Sequence, residues 1–149
     1  MSLFSSFNIS ASGMTAQRLR MDVISENIAN SNTTRTEDGT PYVKKSVIFS
    51  EKGNIYNSFG DVFEAARSDV SGNGVKVTSV YEDTSTDMSL VYDPSHPDAD
   101  ENGYVTYPNV NVVQEMTDLI DASRSYEANV TAFNASKAMA SKGLSIGQN

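Results

Sequence analysis

The chain has 149 residues, a formal net charge of −8 and no cysteine. Its length fits one domain with at most a small appendage, and the lack of cysteine excludes disulfides and thiolate chemistry. Apolar residues make up 38% of the chain. The chain has no run of about 18 apolar residues, the length that is needed to cross a membrane.

The negative charge is concentrated in the middle of the chain. Residues 1–36 carry three basic and two acidic side chains, residues 37–109 five and thirteen, and residues 110–149 three and four. Nearly neutral ends can pack closely without self-repulsion, whereas an acidic middle lacks the basic patches that bind phosphate backbones. We therefore expect no nucleic-acid partner.

The first predicted helix covers residues 4–30. Apolar residues recur along it every seven positions, at Phe7, Met14, Met21 and Ile28. A second apolar line follows the far side of the same helix. An apolar repeat of this period forms a seam against another helix, so this helix should have partners on both sides.

The middle of the chain is predicted to be rich in strands. Residues 30–41 are dense in Asn, Thr, Gly and Pro, which favour turns over regular structure. Alternating β-branched and aromatic residues predict strands at 42–49, 74–81, 88–92 and 104–107. Residues 50–73 show no clear period, and no element is predicted for them.

A second long helix is predicted over residues 110–142, with Asn109 or Asn111 as its N-cap and Gly143 as its end. A stripe with alternating spacings of four and three residues runs along it and is interrupted only by Ser123 and Lys137. Its apolar members are Val112, Met116, Leu119, Tyr126, Val130, Phe133 and Ala140. We predict an α+β fold in which the two helices pack as an antiparallel coiled coil beside a small β-rich middle lobe. The predicted boundaries are 1–36, 37–109 and 110–149, with the two end segments forming one helical domain.

The sequence shows no catalytic motif and no glycine-rich nucleotide-binding motif. A structural zinc site is excluded because the one histidine, His96, lies in a turn and no cysteine accompanies it. Residues 98–103 match the first half of a calcium loop, but the twelfth position is Asn109, where calcium needs a bidentate Glu. We predict no enzyme activity, catalytic residue, metal, cofactor or small-molecule substrate. A calcium-dependent binding module using Asp98, Asp100 and Asn102 is kept as an alternative.

The end of the first helix resembles the signature of the bacterial flagellar rod, hook and filament-axial family. The matching residues of this family turn are Asn27, Ile28, Ala29, Asn30, Asn32 and Thr33. The usual Pro-Gly-Tyr continuation is absent, since residues 34–36 and an insertion at 37–40 precede Pro41 and Tyr42. This departure resembles the proximal-rod members of the family. Further stretches that resemble those members lie at 74–77, 90–97, 102–105 and 108–129.

The resemblance implies a structural subunit of the proximal rod, which polymerises through its terminal helices into a hollow drive shaft around the export channel. It implies an inner layer built by these helices, a basal-body location in the cell envelope, and unfolded export without a cleaved signal. The implied partners are copies of the chain, other rod proteins, a rod-base adaptor of the membrane ring and the type III export apparatus. The absence of a basic residue before Arg18 agrees with signal-free export. The alternative is a soluble coiled-coil adaptor or secretion chaperone that uses the same apolar lines.

Overall fold

A computed structural model describes residues 3–53, 59, 63 and 72–146. In chain order the described elements are α1 (Leu3–Ala29), β1 (Lys45–Glu51), β2 (Val75–Glu82), β3 (Ser89–Tyr92), β4 (Tyr104–Tyr107) and α2 (Val112–Ile146). Two long terminal helices and two small sheets confirm the predicted α+β class. Most of the unpatterned stretch at 50–73 lies outside the described residues.

Helix α2 begins where the sequence offered two candidate caps and ends later than predicted. The Asn111 side-chain oxygen accepts hydrogen bonds from the backbone N–H groups of Val113 at 3.1 Å and Gln114 at 3.2 Å, so Asn111 is the N-cap. The predicted end at Gly143 is wrong, because the helix continues to Ile146. Glycine ends a helix by adopting a left-handed backbone conformation, and Gly143 keeps a negative φ.

The four strands form two antiparallel pairs, β1 with β2 and β3 with β4. In the second pair Ser89 lies opposite Tyr107 and Tyr92 opposite Tyr104. Strand β1 starts three residues later than predicted because the preceding backbone bonds elsewhere. The N–H of Tyr42 donates to the Thr33 carbonyl at 3.2 Å, which ties this segment to the turn after α1 rather than to a strand.

The chain groups into two compact units. Unit one comprises Met1–Gln17, Phe49–Thr78 and Arg124–Asn149, and unit two comprises Arg18–Ile48 and Ser79–Ser123. Within each unit a part of α1 packs antiparallel to a part of α2. In unit one Phe7 contacts Phe133, and in unit two Arg20 contacts Asp118 and Asn27 contacts Glu115.

The two units bury different kinds of side chain. The apolar core of unit two consists of Val23, Ile24, Tyr42, Val105 and Ala122. Among the described residues of unit one, Ala16 is the buried apolar residue, and Ser10 and Ser136 are buried with it. No helix in the described part of the chain is long and apolar enough to span a membrane.

Candidate assembly site: the helix seam and the family turn

The seam between α1 and α2 in unit two is centred on a buried amide. The Asn27 side chain is 1% exposed, and all four of its hydrogen-bonding positions are filled. Its Nδ2 donates to the Lys45 carbonyl at 2.8 Å and to Glu115 Oε2 at 2.9 Å. Its Oδ1 accepts from the Tyr42 hydroxyl and from the Lys45 N–H, each at 2.9 Å. One side chain therefore joins α1, the start of β1 and α2.

Glu115 is the charged member of this group, which we call the Asn27 cluster: Asn27, Tyr42, Lys44 and Glu115. The Glu115 carboxylate is 2% exposed, and its Oε1 lies 2.6 Å from the Lys44 ammonium. A buried carboxylate without a partner would be strongly destabilising, so both oxygens need the contacts they make. Lys44 keeps part of its side chain in solvent and carries the compensating charge.

The chemistry around Tyr42 reflects this burial. Burial of the hydroxyl away from water raises the pKa of Tyr42 to about 12, and the negative charges of Glu26, Glu115 and Glu82 contribute in the same direction. The neutral hydroxyl is therefore held firmly as a donor to Asn27. This role depends on keeping its proton, and nothing in the arrangement prepares the phenol to act as a base.

The residues after Asn27 end the helix and shape the turn. Asn30 Nδ2 donates to the Glu26 carbonyl at 2.9 Å, and its Oδ1 accepts from the Thr33 hydroxyl at 3.1 Å. The Glu26 carbonyl also accepts from the Asn30 backbone N–H at 3.0 Å, so Asn30 places a backbone donor and a side-chain donor on the same helix-end carbonyl. Ile28 is half-buried, whereas Ala29 and Asn32 are exposed.

Asn109 fixes the chain just before α2 in unit two. Its Oδ1 accepts from the Lys44 N–H at 2.9 Å, and its Nδ2 donates to the Asp83 carbonyl at 2.7 Å. These bonds connect the segments leading into β1 and out of β2 with the segment leading into α2. Asn109 was a candidate N-cap, and the structure gives it this bridging position instead.

Unit one contains a second set of close helix contacts. The rings of Phe7 and Phe133 lie 5.0 Å apart between centroids, at an interplanar angle of 58°. A Cβ atom on Gly13 would lie 2.7 Å from the side-chain oxygen of Asn129, so a side chain at position 13 would force Asn129 to move. The small size of Gly13 therefore permits the close approach of the helices at this point.

Strand β2 is also held against α1 within unit one. The Ser12 hydroxyl donates to the Ile9 carbonyl at 2.7 Å and accepts from the Val75 N–H at 3.1 Å. Gly74 precedes this contact with φ at +92°, and a Cβ there would collide with the Ser12 hydroxyl. Both the backbone conformation and the space at position 74 require glycine.

The predicted packing residues on α2 differ in their exposure. Val112 is 37% and Met116 is 54% exposed in the isolated subunit. The others are half-buried: Leu119, Tyr126, Val130, Phe133 and Ala140. On α1, Phe7, Met14, Met21 and Ile28 are all half-buried. Whether these residues form contacts between subunits stays a prediction.

Sequence reasoning missed a line of small and polar residues on α2. It consists of Glu115, Ala122, Asn129 and Ser136, of which all but the half-buried Asn129 are buried. These residues recur every seven positions, each one residue before a position of the predicted stripe, which is apolar at Met116 and Val130 and interrupted at Ser123 and Lys137. Hydrophobicity cannot reveal such a line, and the seven-residue spacing is the one signal that could have found it.

The calcium-like loop makes protein contacts of its own. Asp98 accepts a hydrogen bond from the Thr34 hydroxyl at 2.8 Å and lies 3.7 Å from the Arg35 guanidinium. Asp100 Oδ1 accepts from the N–H groups of Asn102 and Tyr104, which shapes the turn before β4. No group of three or more potential ligands lies together within the described ranges.

Comparisons with known proteins agree with the resemblance in the turn. Residues 7–35 match a family model described as flagella basal body rod protein, and residues 101–146 match one described as flagellar basal body rod FlgEFG protein C-terminal. The flagellar basal-body rod protein FlgC of Bacillus subtilis is 49% identical, with 99% of this chain and all of the relative covered. FlgC of Salmonella typhimurium is 41% identical over the same shares of both chains.

These matches cover both terminal helices and nearly the whole chain, and they confirm the resemblance in residues 26–33. They place the protein in the flagellar basal body, in assembly with other rod proteins. They do not favour the adaptor or chaperone alternative. The chain belongs to the flagellar basal-body rod protein family and is a structural subunit of the rod, not an enzyme.

Proposed function

We propose that this subunit builds the proximal part of the rod by docking an exposed apolar stripe on α2 against copies of itself and other rod proteins. The stripe consists of Val113, Met116 and Ile120, which are 75%, 54% and 52% exposed. Their spacing of three and four residues places them on one face of the helix. Contiguous exposed apolar surface of this kind marks an interaction site.

The different side chains on the two faces of α2 support this proposal. In unit two the face toward α1 carries Glu115 and Ala122, which are buried. Of the larger apolar residues of α2 in this unit, Leu119 is half-buried, and the others are exposed: Val112, Val113, Met116 and Ile120. A helix that served this fold alone would place its larger apolar side chains inward. The proposal extends to the predicted packing residues Val112 and Met116, whose exposure in the isolated subunit leaves them free for neighbouring subunits.

The finer assignments follow from the family resemblance. The subunit passes unfolded through the type III export apparatus without a cleaved signal, and the rod base meets an adaptor of the membrane ring within the cell envelope. The absence of cysteine suits passage as an unfolded chain, because no disulfide has to form or open. Segments 1–36 and 110–149 form the inner helical layer around the channel, and segment 37–109 forms the outer lobe.

The proposed mechanism is mechanical. Many helix contacts, repeated at every subunit, share the shear load as the shaft transmits motor torque. Each contact is weak alone, because apolar burial contributes only about 25 cal/mol per Å². The polymer gains its stiffness from the repetition, and this is why a single altered apolar residue should have a large effect.

Substitution of one stripe residue tests the proposal. Ile120→Asp should leave the subunit folded, because the side chain is already in solvent, but it should place an unpaired charge in every subunit contact. We expect normal secretion of the variant, no assembled rods in basal-body preparations, and non-motile cells. Asp121→Asn, at the neighbouring exposed position, is the matched control and should support normal swimming.

Normal rod assembly and swimming with Ile120→Asp would show that the stripe faces solvent in the assembly. Loss of secretion, with no subunit reaching the rod, would instead point to an export or chaperone contact at this face.

A further inference from the structure

The apolar repeats of the two helices do not by themselves define how far one helix is shifted along the other. Both lines repeat every seven residues, on α1 at Phe7, Met14, Met21 and Ile28, and on α2 at Leu119, Tyr126, Phe133 and Ala140. A slide of seven residues, about 10 Å along the axis, would bring apolar residues opposite apolar residues again. Other contacts must therefore distinguish the native arrangement from slipped ones.

The Asn27 cluster does not repeat in this way. Asn27 lies opposite Glu115 in unit two, and the residue seven positions further along α2 is Ala122. A slide in that direction would leave the Asn27 amide facing a methyl group and would separate Glu115 from Asn27. A slide in the other direction would place Asn27 opposite position 108, which precedes α2. Either slide leaves buried polar groups without partners.

We propose that the Asn27 cluster sets the register of α1 against α2 in unit two. Buried polar residues in helix seams are known to select register while adding little net stability, because desolvation cancels much of their attraction. Asn27 suits this role because its two donor and two acceptor positions are all filled in one arrangement. The proposal concerns contacts inside the subunit and does not depend on the proposed docking stripe.

The register can be measured directly because the chain has no native cysteine. Nitroxide labels are attached at Arg18→Cys and Thr117→Cys, two exposed positions on α1 and α2 within unit two. Pulsed electron paramagnetic resonance on the isolated subunit then gives the distance between the labels. The native cluster should give one narrow distance, and a slip of seven residues shifts the axial separation by about 10 Å.

The deciding variant replaces the polar pair by apolar residues, Asn27→Leu together with Glu115→Leu. Lys44 loses its partner but retains access to solvent, since 23% of its side chain is exposed. The Lys45 backbone groups and the Tyr42 hydroxyl lose their bonds to Asn27 in this variant, which removes the contacts that favour the native register. We expect the helical circular dichroism signal to persist while the single distance divides into two populations, whose axial separations differ by about 10 Å.

The matched control is Arg20→Leu with Asp118→Leu, which removes an ion pair of the same seam. The two side chains are 36% and 30% exposed, so removing this ion pair leaves no buried group without a partner. We expect this control to keep the single native distance.

Two outcomes would overturn the proposal. A single native distance in the Asn27→Leu, Glu115→Leu variant would show that apolar packing alone selects the register. Loss of the helical signal in that variant would show that the cluster is required for folding itself rather than for choosing among registers.

Discussion

At the scale of single residues, Asn27 and its neighbours show how a side chain near a helix end can hold several segments together. An amide offers two donors and two acceptor positions, and here each is used by a different group from β1, the preceding loop or α2. Leucine would fill the space but leave the Lys45 backbone without partners. Aspartate would lack the donors that reach Lys45 and Glu115.

The ionisation of Tyr42 tests this arrangement. Its pKa in the folded subunit is raised to about 12, chiefly by burial, above the ordinary value of 10.0. A raised pKa means that the folded state holds the proton more tightly, so this contribution to stability is present below pH 10 and lost as pH rises toward 12. We expect a phenolate absorbance titration to show one tyrosine with a midpoint near that raised value.

Subtracting the titration curve of Tyr42→Phe from that of the native chain leaves the titration of Tyr42 alone, without the other tyrosines and the lysines. The difference between the two titration curves should be a single step above the ordinary tyrosine range. A difference curve centred near pH 10 would show that Tyr42 is in contact with water and not bonded to Asn27.

At the scale of the helices, periodicity predicted the elements better than it predicted their buried faces. Helices were expected at 4–30 and 110–142 and are observed at Leu3–Ala29 and Val112–Ile146. The buried face of α2 includes Glu115 and Ser136, which an apolar pattern cannot identify. A hydrophobic repeat shows where the apolar side chains lie along the helix, and in a subunit that assembles some of these side chains are exposed.

The contact between Phe7 and Phe133 joins the helices in unit one. Phe133→Ala should lower the free energy of unfolding by about 2–3 kcal/mol, less than the about 3–5 kcal/mol typical of a fully buried aromatic, because the ring is only half-buried. Urea unfolding of the isolated subunit, followed by circular dichroism, measures this change.

Lys137→Ala, at an exposed position one turn further along α2, should change the free energy of unfolding by less than about 0.5 kcal/mol. A double-mutant cycle with Phe7→Ala should give a coupling energy of about 0.5–1.5 kcal/mol. A coupling energy of zero would mean that the two rings do not meet in solution.

At the scale of the whole molecule, part of the excess negative charge lies on carboxylates that accept local hydrogen bonds. The half-buried Asp83 carboxylate accepts from the hydroxyls and N–H groups of Ser85 and Thr86, and these bonds lower its pKa to about 2. Hydrogen bonds from Ser95 lower the pKa of Asp93 in the same way. Such carboxylates stabilise turns in their ionised form and need no metal ion for this.

We therefore predict that calcium does not contribute to stability or assembly. Removing divalent ions with a chelator should leave the melting temperature and the assembly of the subunit unchanged, because Asp98 and Asp100 already accept bonds from protein groups. Scanning calorimetry with chelator and with excess calcium provides the measurement. A melting temperature raised by calcium in the native chain but not in Asp98→Ala would contradict this prediction.

The sequence by itself determined the two helices, the four strands, the α+β class and, through residues 26–33, the family. These features depend on local periodicity and on a contiguous motif, which are both readable along the chain. The tertiary structure alone decided that Asn27 reaches Glu115, that Asn111 rather than Asn109 caps α2, and that Met116 is exposed. The first depends on residues that meet across 88 positions of chain, and the second on the long-range bonds that occupy Asn109. The third depends on which face of the helix is covered, and the hydrophobic pattern is the same for several such arrangements.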